Sequence, residues 1–161
     1  MIISVSDLPN LRKEHKSSRI VLASGVFDLL HVGHVNYLES LKNYGDISVV
    51  LVKPDARVKR HKHSSRPVIP EADRARMVDA IKGVDYVVIG SDIFNKPGKV
   101  DAMYEEVFDA LKPDTYVTTN DNWGKLAQVT SADIQILPRR KVGHFDSTTS
   151  ILEHIRTLES S

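Results

Sequence analysis

The ten residues Gly25-Val26-Phe27-Asp28-Leu29-Leu30-His31-Val32-Gly33-His34 constrain this chain more than any other stretch. Before them runs Arg19-Ile20-Val21-Leu22-Ala23-Ser24, an apolar run that reads as a buried strand. After them, Val35-Asn36-Tyr37-Leu38-Glu39-Ser40-Leu41-Lys42 repeats its apolar residues at helical spacing. The segment is therefore strand, glycine-bearing turn and helix, with two histidines where the helix begins. A helix N-terminus offers unpaired N–H groups and a partial positive charge, which attract phosphate. His31 and His34 add donors at the same place, and Gly33 lets a ligand approach the backbone. Such a group suits the extra negative charge that develops on a triphosphate when a bond to its α-phosphorus is made and broken.

G-x-F-D-x-x-H-x-G-H after a first strand resembles the signature of the cytidylyltransferase-like nucleotidyltransferases. These are small α/β enzymes that join an NTP to a phosphorylated alcohol or sugar and release pyrophosphate. Two plainer readings of His31 and His34 stand beside it: a helix-capping pair, or two ligands of a zinc site. Zinc is disfavoured because the chain has no cysteine and no obvious third ligand.

At 161 residues the chain suits a single domain, 1–161, with its core at about 19–158. A formal net charge of +1 argues against a general nucleic-acid-binding surface. The absence of cysteine excludes a disulfide frame and fits the cytoplasm. The first residues lack the basic region and apolar stretch of a signal peptide, and no run approaches membrane-spanning length. The expectation is a soluble cytoplasmic protein that binds neither membrane nor nucleic acid.

Strand and helix patterns alternate along the chain, which predicts an α/β fold: a Rossmann-like three-layer α/β/α sandwich with a mostly parallel five-stranded sheet. Strands are expected at 19–24, 46–52, 86–89, 115–118 and 134–137. Helices are expected after the histidine motif and at 70–81, 101–111 and 147–158, with a weaker one at 124–129. The basic stretch 53–66 reads as a loop. In such sheets ligands bind beyond the carboxyl ends of strands, where the histidine motif falls.

The resemblance implies further site residues. A lysine in the basic stretch contacts nucleotide phosphates in the family, and Lys59 is the choice here with Lys62 in reserve. Taken alone, either is a solvated loop cation. An arginine on the following helix reaches into the family's site, and Arg74 holds that position. Its fork could grip two phosphate oxygens, or it could simply pair with Glu71 or Asp73 at the surface. Near the C-terminus, Arg139 or Arg140 precedes Ser147-Thr148-Thr149, resembling the family's second signature. Hydroxyls and amides there could bind phosphate oxygens, and Ser147 or Asp146 could equally be an ordinary N-cap. After the fourth strand, Asn120 stands where a glycine is usual, followed by Asp121 and Trp123.

The family's reaction is in-line attack by a substrate phosphate oxygen on the α-phosphorus of an NTP, without a covalent enzyme intermediate. The resemblance assigns His31, His34, Lys59 and Arg74 to catalysis. It assigns Gly25, Val26, Phe27, Asp28, Gly33, Asn120, Asp121, Arg139, Ser147, Thr148 and Thr149 to nucleotide binding. Mg2+ would arrive on the triphosphate without dedicated protein ligands. Asp28 is either its outer-shell partner or a buried carboxylate fixing the turn. Segments around His34 and Ser65-Arg66-Pro67-Val68 resemble heptose 1-phosphate adenylyltransferases. Leu137-Pro138-Arg139 and Asp121-x-Trp123 instead resemble glycerol-3-phosphate cytidylyltransferases. The expected partners are ATP or CTP and a phosphorylated sugar or polyol, in a homodimer. The rivals are a non-catalytic nucleotide-binding protein on the same fold and a nucleic-acid-binding module using the 53–66 stretch.

Overall fold

The computed structural model describes residues 1–61, 66–93, 101–120, 130–138, 145 and 147–159. At its centre β2 (Ile20–Gly25) and β3 (Ile47–Val52) pair in parallel, with Ile20 opposite Ile47 and Gly25 opposite Val52. On the far side of β3 lies β4 (Tyr86–Ile89), and beyond it the short β1 (Ile2–Ile3). On the other side of β2 lie β5 (Thr115–Thr118) and β6 (Asp133–Ile136). All six strands are parallel, in the order β1-β4-β3-β2-β5-β6. The sheet thus has one strand more than the five expected. The extra strand is only two residues long, too short for any alternation to betray it.

The central strands are apolar on both faces, as a sheet covered on both sides requires. Val21, Ala23, Val50, Val52, Val87 and Val117 pack beneath α2 (Val32–Glu39) and α4 (Glu71–Asp79). Leu22, Val49, Leu51, Val88 and Tyr116 pack against α1 (Leu8–Glu14) and α5 (Ala102–Leu111). Successive strand residues alternate faces, so one strand sequence supplies both cores. In α5 the residues Met103, Tyr104, Val107, Phe108 and Leu111 form one buried stripe. Asp101 caps it by accepting from the Met103 N–H, and Lys112 ends it with a left-handed backbone angle of 48°.

The basic stretch departs from expectation. Residues Asp55–His61 form a helix, α3, where a loop was expected. Taken singly its cations read as solvated, but partners from distant elements take up several of them. Arg57 pairs with Asp101, Arg60 with Asp92, and Asp55 with Arg74, while Val58 is buried. The expected helix at 124–129 lies outside the described residues. The last helix, α6, spans Thr148–Glu159. Among the described residues no helix is long and apolar enough to cross a membrane.

Chain order runs from β2 outward to β3 and β4, then returns to β5 on β2's other side. The order reverses between β2 and β5, and at such a point the connections diverge and leave a crevice at the carboxyl edge. The turn after β2 opens there. Behind β3, Asp85 closes the sheet's opposite end, accepting from the Ser48 N–H at 2.7 Å, from the Ser48 hydroxyl and from the Lys42 ammonium. Asp85→Ala is expected to lower stability by about 1–3 kcal/mol, read as a lower urea midpoint at unchanged slope.

Candidate active site

The histidine motif sits on backbone that ordinary residues resist. Phe27 and Leu29 both have positive φ, 54° and 48°, a region rarely visited by bulky side chains. Such strain persists only where surrounding contacts over-determine it. Those contacts converge on Asp28 between the two. Its buried carboxylate accepts from the Arg66 guanidinium at 2.8 Å and from the N–H groups of Val68 and Ile69. Its carbonyl accepts from the Thr148 hydroxyl at 2.8 Å, tying the turn to the start of α6. Burial works to raise the Asp28 pKa, but the Ile69, Val68 and Arg66 donors outweigh it and hold the carboxyl below its ordinary range. Of the two readings kept for Asp28, the geometry matches the buried carboxylate that fixes the turn.

Above this base the aromatic rings form a column. A Cβ on Gly25 would come within 2.6 Å of the Phe27 ring, so only glycine leaves room for it. The Phe27 ring meets His34 edge-on at 5.3 Å between centroids, and His34 stacks on His31 at 3.7 Å with planes 25° apart. His31 holds the N-cap position of α2 in extended conformation, and its imidazole does not cap the helix. Its carbonyl accepts the first helical bonds, from His34 and Val35. The capping reading of the pair is therefore replaced by a stacked pair at a helix N-terminus. Among the described residues no group of three or more His, Cys, Asp or Glu is placed to hold a metal ion.

Arg74 differs from both of its readings. It is fully buried on α4, and neither Glu71 nor Asp73 is its partner. Its guanidinium donates to the carbonyls of Val26, Ile69 (2.8 Å) and Lys53 (2.9 Å) and to the Asp55 carboxylate (2.5 Å). The side chain thus reaches the motif from beneath. Lys59 is exposed on α3. Gly33 lies in the first turn of α2, and Asn120 is exposed just past β5, its N–H bonded to the Thr118 hydroxyl. Ser147 caps α6: its hydroxyl accepts from the Ser150 N–H, and the Ser150 hydroxyl from the Ser147 N–H. Thr149 is exposed one residue after the Thr148 that touches Asp28. Lys62, Asp121, Trp123, Arg139, Arg140 and Asp146 lie outside the described residues.

Sequence reasoning passed over Arg66 as a site residue, although a buried aspartate demands a partner. It also passed over Lys53, the first residue beyond β3. Its N–H donates to the Gly25 carbonyl at 2.9 Å, which seats it beside the motif.

A family model described as cytidylyltransferase-like matches residues 22–154, the span that carries the site residues placed above. The chain belongs to the cytidylyltransferase-like family. That family is one of nucleotidyltransferases. Among curated relatives, the bifunctional protein HldE of a Nitratiruptor species is 39% identical over 147 residues, covering 88% of this chain and 29% of the relative. The HldE of a Helicobacter pylori strain is 37% identical over 144 residues, covering 89% and 29%. The chain thus spans less than a third of these relatives' length. A lipopolysaccharide core biosynthesis protein from Thermoplasma volcanium superimposes with a TM-score of 0.63 at 23% identity, over 77% of this chain and 99% of that one. A pantoate-beta-alanine ligase from Francisella tularensis does so at 0.60 and 13% identity, over 96% and 72%. These two likenesses show the fold.

For this cytidylyltransferase-like chain, Gly25→Ala is expected to cost about 1–3 kcal/mol by overpacking against Phe27, visible as a lowered melting temperature. The Asp28 carboxyl is depressed in the folded state, so its stabilisation is full above the unfolded value of about 3.9 and is lost as pH falls through the lower folded value. Asp28→Asn should therefore cost on the order of 3 kcal/mol at pH 7 and flatten the acid limb of the stability–pH curve. An unchanged acid limb would contradict the assignment.

Proposed function

We propose that this chain transfers the adenylyl group of ATP to the phosphate of a heptose 1-phosphate-type sugar, releasing pyrophosphate. The observation that carries the reading is the stacked His31–His34 pair at the N-terminus of α2, beyond the carboxyl end of β2. The likeness to HldE proteins across 88% of the chain supports the sugar-phosphate branch.

An acceptor phosphate oxygen attacks the α-phosphorus in line. The new O–P bond forms as the bond to the bridging oxygen breaks, and that bond's electron pair leaves with pyrophosphate. The nucleophile is already ionised, so no enzyme base is required, and catalysis consists of positioning and charge stabilisation. His31 and His34 hold the α-phosphate and the bridging oxygen, helped by the positive end of α2. Lys59 and the Thr148-Thr149 start of α6 take the β- and γ-phosphates, with the glycine turn, Gly33 and Asn120 around the nucleotide. Arg74 acts from below, holding the Val26 carbonyl so that the turn keeps its shape.

Mg2+ is expected with the triphosphate. Asp28 does not suit the outer-shell role, because its buried carboxylate already receives Arg66, Val68 and Ile69.

The test is pyrophosphate release from ATP, CTP, GTP and UTP against heptose 1-phosphate, glycerol 3-phosphate and choline phosphate. ATP with heptose 1-phosphate should be the productive pair, and His34→Ala should cut kcat by about 10²–10³-fold in a folded protein. Turnover with CTP and glycerol 3-phosphate alone would reassign the branch. Absence of both turnover and nucleotide binding would overturn the reading.

A further inference from the structure

The carboxyl edge of the sheet carries a second polar group, on the face opposite the histidines. Phe27, the ring that supports His34, belongs to the core beneath α2 and α4. Ser24 and Lys53 lie at the ends of β2 and β3 toward α5. The Ser24 hydroxyl is 2.8 Å from the Tyr104 hydroxyl and 2.7 Å from that of Tyr116. The Lys53 ammonium stands over the Tyr104 ring, 5.9 Å from its centroid.

Lys53 differs from the arginines around it. Four arginines around the site, Arg57, Arg60, Arg66 and Arg74, each have a carboxylate partner: Asp101, Asp92, Asp28 and Asp55. Among the described residues no carboxylate lies within ion-pairing distance of Lys53, although the side chain is half-buried. A partly desolvated cation with no counter-ion among the described residues favours an anionic ligand, and an aromatic face compensates it only in part. Its backbone is fixed as well. The N–H is bonded to Gly25, and the carbonyl is held by Arg74, so the residue is seated rather than tethered to a loose loop.

We propose that Lys53, with the Ser24–Tyr104 hydroxyl pair beside it, forms the subsite for the acceptor's phosphate, and so selects a phosphorylated acceptor. This rests on the nucleotidyl-transfer reading, which needs two phosphates to meet. The histidines rise on one side of the β2–β3 edge, and Lys53 lies across it. A dianionic phosphate held there would present an oxygen toward an α-phosphate held by His31 and His34.

Lys53→Gln keeps the stem and removes the charge, and Lys53→Arg keeps the charge. Both are compared with the wild type for melting temperature. Each is then titrated calorimetrically with a non-hydrolysable ATP analogue and, once saturated, with inorganic phosphate. The expected result is that K53Q binds the analogue as the wild type does and binds phosphate at least roughly tenfold more weakly, with K53R intermediate. In turnover with ATP and heptose 1-phosphate, KM for the sugar phosphate should rise by a similar factor while KM for ATP stays unchanged. Unchanged phosphate binding in K53Q would overturn the proposal, as would a wild type that takes no phosphate beside the analogue. Parallel loss of analogue and phosphate would also overturn it, by moving Lys53 to the nucleotide. The binding arm needs no turnover. A wild type that binds analogue and phosphate yet transfers to no acceptor would count against nucleotidyl transfer and leave the subsite standing.

Discussion

A single buried guanidinium holds the working edge of this molecule together. Arg74 takes the carbonyl at the end of β2, the carbonyl after β3, the carbonyl of Ile69 and the carboxylate that opens α3. Three stretches of chain well separated in sequence, at 26, 53–55 and 69, are thereby set relative to one another. Lysine could not replace it, because a point charge with three donors lacks the planar fork that reaches such separated acceptors. The arrangement also explains how a cation can be fully buried. Its charge is met by one carboxylate and its N–H groups by carbonyls, so the desolvation cost is offset locally.

Asp28 extends the same logic to the turn. Arg74 fixes Ile69 through its carbonyl, and Asp28 fixes it through its N–H, so the 66–69 segment is clamped between them. Two bulky residues can then hold left-handed angles on either side of Asp28. The histidines inherit their placement from this frame. Phe27 passes the position of the turn to His34, and His34 passes it to His31.

Much of this was legible in the sequence, and the limits of legibility are physical. The strand–turn–helix around the histidines was readable because apolar runs, glycines and helical spacing all agreed there. The central strands announced themselves as unbroken apolar runs, as strands covered on both faces must. The strand Ile2–Ile3 carries no periodicity, and its pairing depends on β4 more than eighty residues away. The basic stretch was misread because local charge density says nothing about carboxylates supplied by other elements. Arg74 shows the same blindness in reverse: its neighbours in sequence are acidic, yet its partners come from three other segments. The role of Asp28 stood open between two readings until the donors around it were visible.

The bond from Thr148 to the Asp28 carbonyl spans 120 residues of sequence. Synthesis runs from the N-terminus, so the histidine motif is made before the helix that completes its seat. Until residue 148 has been added, the growing chain holds the histidine motif without the brace from α6. A product cut short before α6 would thus carry the motif but lack one wall of its support, which couples completion of the site to synthesis of that helix.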